Sequence, residues 1–118
     1  MGYRRESLGR LAVFLMPSLK LKRRGPDGIA IEDRIHRFLI GNFAGYTVET
    51  GNILGYWKDG RGEEHYGEHR LFRVAFTGKD RVAVLEAFLA AVAAEIGERS
   101  IYLETGEDAW LIYPDDGA

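Results

Sequence analysis

The chain contains no cysteine among its 118 residues, which excludes disulfides, thiolate zinc sites, iron–sulfur clusters and cysteine nucleophiles. It also has little excess charge: 16 Lys and Arg face 18 Asp and Glu, for a net charge of −2. A broad basic surface is therefore missing, and we expect no nucleic-acid partner. Long hydrophobic runs are missing too. The apolar run Leu11–Met16 near the start is far shorter than the ~20 residues of a membrane-spanning helix, so no membrane span is expected.

The start of the chain does not have the pattern of an export signal. Arg4 and Arg5 precede the first apolar run, but Glu6 interrupts the segment and no small-residue cleavage site follows. Together with the missing cysteines, this predicts a cytoplasmic protein. The length and a hydrophobic content of 46% predict a single domain over residues 1–118, with frayed ends at 1–9 and 114–118.

The spacing of apolar residues predicts two helices among several short strands. One helix is expected from Ile29 to about Gly41–Asn42, and the second from Thr77 or Asp80 to Gly97. Strands are expected at Leu11–Met16, Tyr46–Thr50, Asn52–Trp57, Leu71–Phe76, Ser100–Glu104 and Ala109–Tyr113. The polar, glycine-containing stretch Lys58–His69 is expected to be the loop at the tip of a long hairpin.

This order of elements predicts an α+β fold of the ferredoxin-like kind. The βαββαβ arrangement forms an antiparallel sheet with two helices on one face, and the C-terminal hairpin adds an extra strand. Two helices cover only one face of such a sheet. We expect the other, which carries apolar and aromatic residues, to pack on another copy of the chain or to bind a ligand.

One group of residues in the hairpin has metal-ligand chemistry. Glu64, His65, Glu68 and His69 are the candidate ligands, and imidazole with carboxylate suits Zn, Cu, Ni or Mn. If they lie on a strand, the two histidines are about 13 Å apart, so one ion would need a bend at Gly67 or a second subunit. The alternative is a solvated acidic hairpin tip.

Aromatic residues are placed on or beside the predicted strands, at Tyr46, Tyr56, Trp57, Tyr102, Trp110 and Tyr113. They could line a pocket for a planar ligand, or pack in the core or a subunit interface. These two alternatives stay open from the sequence.

Several stretches resemble the superfamily of the PII signal-transduction proteins. Gly45-Tyr-Thr-Val48 is similar to the Gly-Met-Thr-Val of PII proteins, and Ile96–Leu103 followed by Glu107–Ile112 resembles their C-terminal stretch. Gly55–Gly60 with Glu63-Glu64 resembles the Trp-x-Gly-Lys hairpin of the divalent-cation-tolerance proteins, which belong to the same superfamily. The resemblance covers residues 40–113.

The resemblance implies a homotrimeric regulatory protein that senses a small anion, a nucleotide or a divalent metal at the clefts between subunits. Taken together with the aromatic residues, it gives as ligand-binding candidates Gly45, Thr47, Tyr56, Trp57, Arg99 and Tyr102. The family's phosphate-contacting lysine is replaced by Ser100, and the terminal arginine is missing. Phosphates need paired cationic donors, so these departures argue against ATP.

The alternative is a small enzyme of the dimeric α+β-barrel kind. The chain has no Gly-rich phosphate loop, no Gly-x-Ser-x-Gly and no His-Glu-x-x-His, so its catalytic residues would be isolated ones. His65 or His69 would be the general base, with Tyr56 or Tyr102 as the proton donor. A trimer in solution would favour the regulatory protein and a dimer the enzyme. A third alternative is a protein that only assembles through its open sheet face.

Overall fold

The structure, a computed structural model, describes residues 2–43, 45–78 and 80–114. Residues 2–9 precede the first strand and form no helix or strand, whereas residues 1 and 115–118 of the predicted frayed ends lie outside the described residues. The strands are β1 (Arg10–Pro17), β2 (Tyr46–Lys58), β3 (Glu64–Phe76), β4 (Ile101–Thr105) and β5 (Asp108–Ile112). The helices are α1 (Ile31–Phe43) and α2 (Asp80–Ile96), and a single 3-10 turn, Ser18–Lys20, follows β1.

The strands form one antiparallel sheet in the order β2-β3-β1-β4-β5. This is the predicted ferredoxin-like arrangement, with β1 and β3 inside the sheet and β5 added at the edge beside β4. The predicted fold class is therefore confirmed.

The core lies between the two helices and one face of the sheet. Alternate residues of β1 are buried (Ala12, Phe14 and Met16), because successive side chains of a strand point to opposite faces. Phe14 stacks on Phe72 of β3 with ring centroids 5.0 Å apart. The helices contribute stripes at three- and four-residue spacing: Ile31, Ile35, Leu39 and Phe43 from α1, and Leu85, Leu89, Val92, Ala93 and Ile96 from α2.

The long hairpin differs from the prediction at its tip. Lys58–His69 is not a loop, because β2 continues to Lys58 and β3 begins at Glu64. Beyond His69, where the pairing of β3 with β1 ends, β2 and β3 continue together. We call this two-stranded extension, residues 54–68, the arm.

Glycines in the arm make room for a cross-strand side chain, which is why they do not break the strands. Gly55 pairs with Gly67, and the His69 ring lies against both of them. A Cβ atom on Gly67 would lie 3.0 Å from His69 Cε1. The register of β2 against β3 also shifts between Glu49 and Ile53, a segment that contains Gly51.

The sheet face opposite the helices is open in the part of the chain that the structure describes. It carries several apolar side chains, of which Leu11 is 59% exposed and Leu111 is 54% exposed. Neither described helix is long and apolar enough to cross a membrane.

Candidate functional site

The turn of the arm is built around Asp59. Its Oδ1 accepts hydrogen bonds from the backbone N–H groups of Arg61 (2.8 Å) and Glu63 (3.0 Å). Gly62 within this turn has a φ of 81°, a left-handed conformation that favours glycine. One oxygen of Asp59 therefore stabilises the five-residue turn between β2 and β3, and the second oxygen can contact another partner.

That second partner is His65. Its Nε2 lies 2.8 Å from Asp59 Oδ2, and its ring stacks on that of Trp57, with centroids 5.6 Å apart and planes 19° from parallel. The hydrogen bond from His65, followed by those from the backbone of Glu63 and Arg61, lowers the pKa of Asp59 below its usual 3.8. Ligand atoms of Asp59, Glu63 and His65 all lie within 4.8 Å of one another.

The four predicted metal ligands lie on two different faces of β3. Because strand residues alternate, Glu64 and Glu68 lie on the side of the sheet that carries the helices, whereas His65 and His69 lie on the open side. Of these four, only His65 belongs to the group of three around Asp59. The four predicted ligands did not include Asp59 or Glu63, because the approach of these two residues to His65 depends on β2 and β3 being paired up to this turn.

The helix-side face of the arm is aromatic and acidic. Tyr56 and Tyr66 are directly opposite on the two strands, with ring centroids 6.1 Å apart, and they are 73% and 70% exposed. Glu64 and Glu68 lie two residues to either side of Tyr66 and therefore on the same face. We call this group of four residues the tyrosine face. The sequence prediction missed Tyr66, although the alternation of Glu64, Tyr66 and Glu68 is typical of a strand.

Arg99, a predicted ligand-binding residue between α2 and β4, lies next to the turn of the arm. It lines an open recess together with Asp59, Gly60, Arg61 and Glu63. The recess therefore brings two arginines and two carboxylates together from separate parts of the chain.

The other predicted ligand-binding residues lie elsewhere. Gly45 and Thr47 are at the start of β2, about ten residues and roughly 30 Å along the strand from Trp57. Tyr102 on β4 donates a hydrogen bond of 2.9 Å to Glu104, and this bond, followed by burial, raises the pKa of its phenol. One copy of the chain does not gather the six predicted residues into one site.

The basic run after β1 is occupied by structural contacts. Lys20 pairs with Glu98 at 2.6 Å and Lys22 with Glu32 at 3.1 Å, and Arg23 donates to the backbone oxygen of Ile96. These contacts link the loop to both helices, so the run is not a free anion site.

Comparisons with known proteins identify the fold but not a sequence family. No family model matches the chain, and no curated protein matches it in sequence. The fold is similar to that of a phage SAM lyase. Its structure in complex with S-methyl-5'-thioadenosine superposes with a TM-score of 0.62 at 14% identity, covering 96% of this chain and 95% of that one. The structure of a phage SAM lyase in the apo state gives a TM-score of 0.62 at 13% identity, covering 98% of both chains.

These findings correct the resemblance to PII and divalent-cation-tolerance proteins, and with it the signalling role that it implied. The resemblance rested on small residues and strand patterns, which a ferredoxin-like sheet requires whatever its function. Both of these solved structures are of a SAM lyase, and at 13–14% identity the likeness shows the fold.

Proposed function

We propose that this protein is a small enzyme that cleaves S-adenosylmethionine (SAM) at the tyrosine face of the arm. The observation that carries the proposal is the pairing of two exposed tyrosine rings with two carboxylates on one strand face. The likeness to phage SAM lyase over nearly the whole chain supports the same substrate class.

The chemistry of the tyrosine face suits a sulfonium nucleoside. SAM carries a planar adenine and a positively charged sulfur, and aromatic rings both stack on planar bases and attract cations. Glu64 and Glu68 add negative charge beside the rings, which favours a cation over a neutral thioether. We therefore expect SAM to bind more tightly than S-adenosylhomocysteine, which has the same adenosyl group without the charge.

The reaction breaks the bond between the sulfonium sulfur and the four-carbon amino-acid chain. The electron pair of that bond stays on sulfur, which becomes the neutral thioether of S-methyl-5'-thioadenosine. The carbon that loses sulfur then forms a new bond in one of two ways. Either the substrate's own carboxylate oxygen attacks that carbon, or the adjacent carbon loses a proton and a double bond forms between the two carbons. In the second case Glu68, an exposed carboxylate of the tyrosine face, is the proposed proton acceptor.

A histidine base acting together with Tyr56 in the same copy fits the geometry less well. Tyr56 lies on the helix side of the arm, whereas His65 and His69 lie on the open side. Tyr102 lies on the open side of the sheet but on β4, with its hydroxyl bonded to Glu104. We therefore assign the reaction to the carboxylates rather than to the histidines.

We also propose that the protein is a homo-oligomer whose copies meet through the open sheet face. The exposed Leu11 and Leu111 on that face support this assembly. A dimer and a trimer are both forms of such an assembly.

The experiment is to incubate the full chain with SAM and measure S-methyl-5'-thioadenosine by liquid chromatography. We expect a product peak with the wild type. Glu68→Gln should lower kcat/KM about 10-fold or more, because a charged partner of the substrate is lost. Tyr56→Ala should lower it roughly 3- to 30-fold through the lost cation–π and stacking contacts.

The matched control is Glu49→Gln, which removes an exposed carboxylate from the open side of β2, the strand that carries Tyr56. It should leave kcat/KM unchanged. Absence of product with the wild type, or an equal loss in Glu49→Gln and Glu68→Gln, would contradict the proposal.

A further inference from the structure

We propose that the turn of the arm binds a divalent transition-metal ion, of the Zn²⁺ or Mn²⁺ kind, through Asp59, Glu63 and His65. One imidazole nitrogen and two carboxylate oxygens form the donor set, and their ligand atoms lie within 4.8 Å of one another. Imidazole with carboxylate is the ligand combination that these ions accept. The proposal is independent of the tyrosine face, which shares none of these residues.

Two of the three donors, Asp59 and His65, are held in place before any ion binds. Oδ1 of Asp59 is fixed by two backbone N–H groups, so that Oδ2 is directed at His65. The His65 ring is held by its stack on Trp57. Asp59 Oδ2 and His65 Nε2 lie 2.8 Å apart in their hydrogen bond. Two ligands that each bind one ion at about 2.1 Å lie about 3.0 Å apart in an octahedral site and about 3.4 Å apart in a tetrahedral one, so an ion that replaces the shared proton requires only a small shift of the pair.

The turn alone does not explain the position of Glu63. Its backbone N–H supports the turn, but within residues 2–43, 45–78 and 80–114 its carboxylate has no hydrogen bond or ion pair. That carboxylate nevertheless lies with the Asp59–His65 pair. A cation between the three groups would offset the repulsion between the two carboxylates.

An open recess adjoins two of the three proposed ligands. It is lined by Asp59 and Glu63 and also by Arg99, which belongs to a distant part of the chain. With three protein ligands, a tetrahedral or octahedral ion keeps open positions, and the recess gives space for water or an anion there. Arg61 and Arg99 would attract an anion to that space.

The test is isothermal titration of the full, metal-free chain with ZnCl₂, together with Trp57 fluorescence during titration with Co²⁺. We expect one saturable zinc site per chain and quenching of the indole, since a bound paramagnetic ion would lie beside the ring that stacks on His65. Glu63→Gln and His65→Gln should each weaken zinc binding about 10-fold or more. Glu63→Gln keeps the backbone N–H that the turn needs, so a loss of binding in this variant does not reflect a lost turn.

The matched controls are Glu64→Gln and His69→Gln, which remove the same chemical groups from neighbouring positions outside the trio. Both should bind zinc as the wild type does. The proposal is overturned if the wild type shows no saturable zinc binding, or if the control variants lose as much affinity as Glu63→Gln and His65→Gln.

Discussion

The Asp59 side chain has two structural roles. One oxygen accepts the backbone hydrogen bonds of the turn of the arm, and the other is hydrogen-bonded to His65. Both roles require the ionised carboxylate, because each partner donates a hydrogen bond to it. A titration of Asp59 in solution therefore tests whether the turn and the Asp59–His65 pair form.

We predict a carboxyl titration midpoint for Asp59 below 3.8 in the folded protein. A carboxylate whose folded pKa is lowered adds stability that is present above the unfolded pKa and is lost as the pH falls through the folded pKa. The contribution of Asp59 should therefore be intact above about pH 4 and disappear only below its lowered midpoint. Carbon-detected NMR of the carboxyl group measures that midpoint.

The matched variant for this titration is His65→Gln, which removes the largest cause of the shift and keeps the two backbone donors. Its Asp59 midpoint should rise toward 3.8 without passing it. A wild-type midpoint at or above 3.8, or no rise in the variant, would show that the pair does not form.

At the scale of the elements, local sequence patterns predict this fold well where one segment decides its own structure. The apolar spacing around Ile35 and Leu39 predicts α1, and the alanine-rich run before Gly97 predicts α2, because helix periodicity and propensity are local properties. The sequence analysis predicted a loop in place of the arm, because each strand of the arm depends on pairing with the other. Gly67 weakens a strand by itself, and only the pairing with β2 shows that it accommodates His69.

The candidate site also depends partly on local sequence and partly on strand pairing. The sequence identified Tyr56, Glu64, His65 and Glu68 as residues with useful chemistry, and it placed Arg99 near a ligand. It could not show which of them share a face, because one residue of offset in strand pairing transfers every side chain to the other side. The tyrosine face and the trio at the turn therefore became visible only with the register of β2 on β3.

We predict a large difference in stability between truncations in the helical core and in the arm. Leu39 of α1 is fully buried, so Leu39→Ala should lower the free energy of unfolding by about 2–5 kcal/mol through lost burial and the cavity it leaves. Leu54 in the arm is 51% exposed, and Leu54→Ala should cost about 1 kcal/mol or less. Urea unfolding followed by circular dichroism measures both. Equal losses would contradict the assignment of the core.

At the scale of the whole molecule, the structure shows a likeness of fold that the sequence does not. At 13–14% identity, the chain still superposes on phage SAM lyase over at least 96% of its length. A ferredoxin-like sheet is specified by alternating apolar residues and by the order of its elements, and many sequences meet those conditions. This is also why short matches such as Gly45–Val48 led to the wrong superfamily. Short motifs that a sheet of this kind requires occur in proteins whose functional sites are unrelated.

The open face of the sheet is the surface through which we propose that copies of the chain meet. Because both helices cover the same face of the sheet, Leu11, Leu111 and their half-buried neighbours on the other face are in contact with water. Burying these apolar side chains against a second copy would remove the unfavourable free energy of exposing them to water. We therefore predict that the 13.3 kDa chain sediments as a dimer or trimer in analytical ultracentrifugation. The double variant Leu11→Lys and Leu111→Lys places like charges on facing surfaces and should sediment as a monomer.

Both substituted side chains are more than half exposed in the single chain, so the variant should keep the wild-type circular dichroism spectrum. A monomeric variant with an intact fold then shows whether SAM cleavage requires the oligomer. If the tyrosine face is complete within one copy, the monomeric variant still cleaves SAM; if a neighbouring copy completes it, cleavage is lost while the spectrum is unchanged. A wild type that sediments as a monomer at all concentrations would contradict the assembly, and the open face would then have to be stable in water by itself.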